Sequence, residues 1–399
     1  MAGRREGERG TGALRQPVLA RQRRPIRTLR DVGGGQHAVP AGHRPVRVQQ
    51  PVPHWRLDQD GPQRGLRGGG RDGGHADVAR HDGLSGRDPG REGFLGMRRL
   101  MLPCLVLLHL HAGAAPSGAI VLWPGAPPGG TAPGPQRDSA KGSITQVAQP
   151  YLIAHRPAQP NGIAILLVSG GGYAHIEAGK ESGPAASWLQ AQGVTAFELV
   201  YRLPQEGGGV AAPFQDGQRA MRVIRARAAE WGIDPARIGM LGFSAGAHLA
   251  GMTAVQPDAA RYAPVDAMDG VSARPDFAVL LYPVLTMRRP FDTTHAKKEL
   301  LGAHPAQAAR DALSVELHVD ARTPPTFIAQ ALDDRVSPPE NSTLMAAALR
   351  RAGVPVELHQ FQSGGHGWGL GKPGSEPAAW PRLLLAWLRA HGWTPQAPG

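Results

Sequence analysis

Cysteine is almost missing from this chain: Cys104 is the only one among 399 residues. A disulfide framework is therefore excluded, and no His, Cys or Asp cluster has the spacing of a metal site. The apolar run from Leu100 to Leu110, broken by Pro103 and His109, falls short of the roughly 20 residues that a membrane span needs. Neither G-x-x-x-x-G-K-[ST] nor G-x-G-x-x-G opens a helix at the glycine-rich loop 170–172, so a phosphate cradle is disfavoured there. Residues 1–96 contain no lysine and only two aromatic residues, Trp55 and Phe94.

What residues 1–96 do contain is 18 Arg against 10 Asp or Glu, which gives +8 of the formal net charge of +12. Set among Gly, Pro and Gln without apolar periodicity, these residues cannot bury enough apolar surface to offset chain entropy. An arginine arm for nucleic acid would bring stacking aromatics or clustered RGG repeats, and neither is present, so no nucleic-acid partner is expected. The same bias arises from translating GC-rich DNA in an unselected frame. Met97-Arg98-Arg99, the run Leu100–Leu110 and the small residues Ala112-Gly113-Ala114 follow the grammar of a signal peptide. The reading is thus a disordered segment 1–96 absent from the native protein, a signal peptide 97–114, and a folded domain 115–399. It implies a periplasmic or secreted protein with no stable membrane insertion after cleavage; a buried helix is the alternative for 100–110.

Beyond the Gly/Pro-rich stretch Pro124–Gly134, short apolar runs alternate with amphipathic segments, which predicts an α/β fold: a mostly parallel central sheet with helices on both faces. Ile163–Val168, Val194–Tyr201, Ile238–Phe243, Phe277–Tyr282, Thr326–Ala331 and Val354–Phe361 read as strands. Ala185, Trp188 and Leu189 repeat at helical spacing before Gly193, a second helix is expected over Gln215–Trp231, and a last one over Trp380–His391. The segment from Thr286 to Val319 is expected to cap the site.

Gly242-Phe243-Ser244-Ala245-Gly246 fits G-x-S-x-G, which this composition yields by chance roughly 0.25 times. Its setting is more specific, because a strand enters at Ile238 and a small-residue helix leaves at Ala245, as a nucleophile elbow requires. The loop Ser169-Gly170-Gly171-Gly172-Tyr173 also follows a strand, so Gly171 and Gly172, with the amide of Ala245, are the candidate oxyanion donors. Asp333-Asp334 follows the strand ending at Ala331, and Asp334 is preferred as the acid that orients a histidine, with Asp333 the alternative. Among 16 histidines, only His366 is framed by glycines after a late strand; His175, His248, His304 and His318 read as packing or solvent residues. Tyr173 and Trp368 either stack on a bound sugar ring or pack against neighbouring loops.

These segments, with Leu122-Trp123-Pro124-Gly125, Leu199 to Pro204 and Asp216 to Ala220, resemble the bacterial acetyl-esterase and acetylxylan-esterase-like α/β-hydrolases, relatives of feruloyl-esterase and prolyl-oligopeptidase-type enzymes. The likeness covers about Ile120 to Trp393. It departs at Ser169, where the family usually has His or Pro. The resemblance implies a cofactor-independent carboxylic ester hydrolase with Ser244 as nucleophile and Asp334 and His366 as its partners. Its substrate is expected to be a small-molecule or polysaccharide ester, with sugar or xylan acetyl groups foremost. A peptidase or amidase, or a binding protein that has kept the fold, are the competing readings.

Overall fold

The computed structural model describes residues 115–394. The segments 1–96 and 97–114, read above as an unselected stretch and a signal peptide, lie outside the described residues.

The strands, in chain order, are β1 (Ile120–Val121), β2 (Arg137–Asp138), β3 (Ser143–Thr145), β4 (Tyr151–His155), β5 (Ala164–Val168), β6 (Ile176–Glu177), β7 (Thr195–Val200), β8 (Ile238–Phe243), β9 (Phe277–Leu281), β10 (Thr326–Ala331) and β11 (Val356–Phe361). Eight form one sheet in the order β1-β4-β7-β5-β8-β9-β10-β11, with β2, β3 and β6 making a small antiparallel sheet apart. The six strands from β7 to β11 run parallel; β1 and β4 are antiparallel at one edge.

The apolar runs are continuous because both faces of the sheet are covered. Along β5, Ala164, Leu166 and Val168 enter one core while Ile165 and Leu167 enter the other, the two-residue period of a strand. The first core takes Phe214, Met221 and Ile224 from α2 (Ala212–Ala226), Leu249 and Met252 from α3 (Ala245–Val255), and Met345 and Leu349 from α6 (Glu340–Arg351). The second takes Ala185 and Leu189 from α1 (Ser182–Ala191), and Trp380, Leu384 and Trp387 from α7 (Trp380–Ala390). Two short helices, α4 (His295–Leu301) and α5 (Gln307–Ala312), lie within the expected cap.

One helix differs from expectation. The segment read as Gln215–Trp231 begins earlier, with Pro213 tolerated in the first turn, and is divided at Arg227 into α2 and a 3-10 turn, Ala228–Trp231. Arg227 breaks the apolar stripe: its guanidinium pairs with Glu230 and lies 4.9 Å from the Trp231 ring centroid.

Three of the quoted segments converge on one buried polar cluster. Asp216 of α2 accepts from Trp123 Nε1 at 2.9 Å and pairs with Arg202 after β7 at 2.8 Å. The remaining Arg202 donors reach Pro128 O, Gly130 O and Gln215. Arg219, one turn along, donates to Leu122 O and pairs with Asp266 and Asp269.

Topology fixes where a site forms. From β5 the chain moves outward to β7, then returns across β5 to β8 and proceeds the other way to β9 and β10. The carboxyl ends of β5 and β8 therefore flank the point where strand order reverses, the place where open α/β sheets leave a crevice. The loop 169–173 and Ser244 occupy those two ends.

Candidate active site

Ser244 sits between β8 and α3 at φ +52° and ψ −116°, a conformation costly for a non-glycine residue. The turn is tight because two glycines allow it. A Cβ on Gly242 would lie 2.3 Å from Gly246 O, and one on Gly246 would lie 2.1 Å from Val168 O. The backbone is then locked, with Ser244 N–H donating to Leu281 O and Ser244 O accepting from the Ala247, His248 and Val284 amides.

His366 approaches from the loop after β11, its Nε2 2.8 Å from Ser244 Oγ and its Nδ1 2.7 Å from Asp334 Oδ2. Asp334 is buried after β10, and its other contacts are all N–H donors: the Val336 and Ser337 amides on Oδ1 and Gln330 Nε2 on Oδ2. A carboxylate so placed accepts from Nδ1–H, which leaves Nε2 as the acceptor facing the serine hydroxyl. Asp333, the alternative, is exposed and instead accepts from the Gly365 amide at 2.7 Å, a bond that lowers its pKa. It braces the histidine loop and does not touch the ring nitrogens.

The three amides read as oxyanion donors differ from their neighbour. Gly170 N–H is taken by Glu181 Oε2 at 2.6 Å, whereas among the described residues no hydrogen bond occupies the N–H groups of Gly171, Gly172 or Ala245. Gly171 and Gly172 hold φ of +108° and +65°. Both line a cleft of about 400 Å³ that also contains Ser244 and His366. Ser169, the departure from the family pattern, is buried, with its Oγ accepting from Ser182 N–H and its carbonyl from Tyr201 OH.

Neither aromatic residue considered for sugar stacking lines this cleft. Tyr173, at φ +62°, turns into the core with no exposed surface, its hydroxyl 2.9 Å from His248 Nδ1. Trp368 packs edge-on against Tyr282 and Phe361. Tyr173 is a packing residue, and the stacking reading is corrected for it; Trp368 is half-buried and lies outside the cleft lining. His248 does pack, held also by Leu313 O, and burial pulls its pKa down to about 4. His175, read as packing or solvent, instead stands on the cleft wall, 3.2 Å from Glu177. Thr294, His295 and Ala296 bring the start of α4, within the expected cap, into the cleft lining, with His295 beside Gly172; Val284 and Val336 supply apolar surface.

Glu181 and Tyr282 were invisible in the sequence. The Glu181 carboxyl is almost wholly buried on the cleft floor, accepting from Gly170 N–H and from Tyr282 OH at 2.9 Å. Burial raises its pKa to about 7 against the pull of those two bonds and of His366.

A buried, strained serine joined through a histidine to an aspartate, at the switch point of a parallel sheet, defines a class, and the chain belongs to the α/β-hydrolase family. The BD-FAE family model matches residues 155–349. The chain is 34% identical to the acetyl ester-xyloside bifunctional hydrolase of Caldicellulosiruptor lactoaceticus, whose crystal structure aligns with a TM-score of 0.59 over 69% of this chain and 97% of that one. It is 32% identical over 241 residues to an acetylxylan esterase of Xylanibacter ruminicola, spanning 57% of this chain and 46% of that protein. It is also 37% identical over 207 residues to endo-1,4-beta-xylanase B of Butyrivibrio fibrisolvens, spanning 51% of this chain and 32% of that protein. The chain thus spans less than half the length of either curated relative. Among the described residues no helix is long and apolar enough to cross a membrane.

Proposed function

We propose that this protein is a serine-dependent carboxylic ester hydrolase that removes acetyl groups from sugars or xylan-type polysaccharides. The observation that carries the reading is the row Ser244 Oγ, His366 Nε2, His366 Nδ1 and Asp334 Oδ2, with spacings of 2.8 and 2.7 Å, beside three unengaged amides. His366 removes the hydroxyl proton as Oγ attacks the ester carbonyl, and Asp334 steadies the imidazolium that forms. The amides of Gly171, Gly172 and Ala245 receive the developing oxyanion; each such donor is worth about 3 kcal/mol in the transition state. His366 then passes its proton to the leaving alcohol, and water, deprotonated by the same nitrogen, releases the acid. Every step uses groups of this chain.

A cleft of about 400 Å³ with Val284 and Val336 near the serine suits a small acyl group, and the named activities of the relatives favour acetyl. We read 97–114 as an export signal preceding a hydrolase domain from residue 115, which would deliver the enzyme to the periplasm or beyond, where polysaccharide esters are met.

The test is hydrolysis by the purified protein of p-nitrophenyl acetate, p-nitrophenyl octanoate and acetylated xylan, with Ser244→Ala as control. Serine-dependent release from the acetate and from xylan supports the proposal. Preference for octanoate makes it a lipase-like enzyme, and turnover that survives Ser244→Ala overturns the mechanism.

A further inference from the structure

Three loops meet at one carboxylate. Glu181 Oε2 holds Gly170 N–H at 2.6 Å, the residue before the two glycines of the oxyanion loop. Next along the chain, Ser182 N–H donates to Ser169 Oγ, so residues 181 and 182 grip residues 169 and 170 at two successive points. Glu181 Oε1 accepts from Tyr282 OH, which lies just past β9 at φ +35°. That hydroxyl in turn accepts from Gly369 N–H at 3.3 Å, and the Tyr282 ring meets the His366 ring edge-on, with centroids 5.0 Å apart. Gly369 is also held from behind, its carbonyl accepting from Trp380 Nε1. The groups facing Glu181 are thus Gly170 and Tyr201 near the oxyanion loop, Glu177 from β6, Tyr282 after β9 and His366 after β11. Among the described residues no basic side chain forms a salt bridge with it, so the carboxyl is held in this buried place by two hydrogen bonds, with His366 nearby.

We propose that Glu181 is a positioning residue that ties the oxyanion loop to the histidine loop through Tyr282, fixing the Gly171 and Gly172 amides and the His366 ring relative to one another. The inference rests on the serine-hydrolase reading above. Loss of the clamp frees both loops, and a displacement of about 1 Å between reacting groups lowers rates by about 10²-fold. The effect falls mainly on the chemical step, because Glu181 and Tyr282 act through the reacting groups they hold, and His175, Thr294, His295 and Val336 still line the cleft.

The experiment compares Glu181→Ala, Glu181→Gln and Tyr282→Phe in steady-state hydrolysis of p-nitrophenyl acetate and in the rate at which a fluorophosphonate labels Ser244. Glutamine keeps the clamp, since its carbonyl accepts from Gly170 and its amide donates to a rotated Tyr282 hydroxyl. Expected for Glu181→Ala is a kcat lower by about 10- to 100-fold with KM within about threefold and slowed labelling; Glu181→Gln recovers most of the rate, and Tyr282→Phe falls between. A folded Glu181→Ala protein with wild-type kcat and labelling overturns the proposal, as does a glutamine variant as slow as alanine. If the alanine variant does not fold, wild-type kcat in Tyr282→Phe overturns it. Failure of the wild-type protein to label at Ser244 instead overturns the hydrolase reading itself.

Discussion

Two regions of this molecule bury polar groups from distant parts of the chain, and they do so to opposite ends. In the cluster of Trp123, Arg202, Asp216 and Arg219, the guanidinium and carboxylate groups meet fixed partners, and two backbone carbonyls, Pro128 O and Gly130 O, absorb what Asp216 leaves over. At the carboxyl ends of β5 and β8 the matching is deliberately incomplete. Among the described residues three amides lack an internal acceptor and Glu181 forms no salt bridge, while Ser244 and Tyr282 hold positive φ. Burial of charge alone therefore does not mark a reactive site. Unspent hydrogen-bonding capacity and strain held in place by the surrounding packing do.

The comparison is tested most severely at the serine. Ser244→Ala is expected to lower kcat on p-nitrophenyl acetate by at least about three orders of magnitude while leaving the thermal midpoint near that of the wild type. Asp334→Asn should follow with a loss of about two to three orders, because an amide beside Nδ1 favours the wrong tautomer. Asp216→Ala should invert the pattern. Removing one member of a buried pair destabilises by about 3–5 kcal/mol in urea denaturation, whereas kcat of the remaining folded protein should stay within about twofold. A large loss of kcat in that variant would erase the distinction between the regions.

A finer test uses pH. Glu181 has its pKa raised to about 7 in the folded protein against 4.5 ordinarily, so between those values the folded state binds more protons than the unfolded. Its contribution is present at pH 4.5 and below and is lost as pH rises toward 7. The thermal midpoint of Glu181→Gln relative to wild type should accordingly increase from pH 5 to pH 8, and a flat difference would contradict the assignment. The smallest effect is expected at Asp333, where Asn still accepts from Gly365 and kcat should change by no more than about threefold.

The main sheet was legible because β5, β7, β8, β9 and β10 are buried on both faces and so are written as short, predominantly apolar runs, interrupted only by residues such as Glu198 and Gln330. Ser244, Asp334 and His366 were legible as candidates for a related reason: each follows a strand, and glycines bracket Ser244 and His366. Tyr173 stayed open between stacking and packing because sequence adjacency to a glycine loop says nothing of direction; at φ +62° its ring lies in the core. Glu181 and Tyr282 left no signal because their roles come from hydrogen bonds between loops 101 residues apart in the chain, with no spacing or composition that encodes them. The polar cluster was visible only as three quoted segments. That α2 carries Asp216 and Arg219 inward could not be told from its period, since the helix is buried on every side from Ala212 to Met221.

The crowding around Gly242 and Gly246 bears on how the gene can change. Every missense mutation of a glycine codon adds a Cβ, and at these two positions that atom would overlap backbone of α3 or β5, which cannot rotate away. Neither position has a neutral neighbour in sequence space. A lineage could explore substitutions at the cleft rim, where Val336 is half exposed, while the elbow stayed frozen, so new specificities would arise around an unaltered nucleophile.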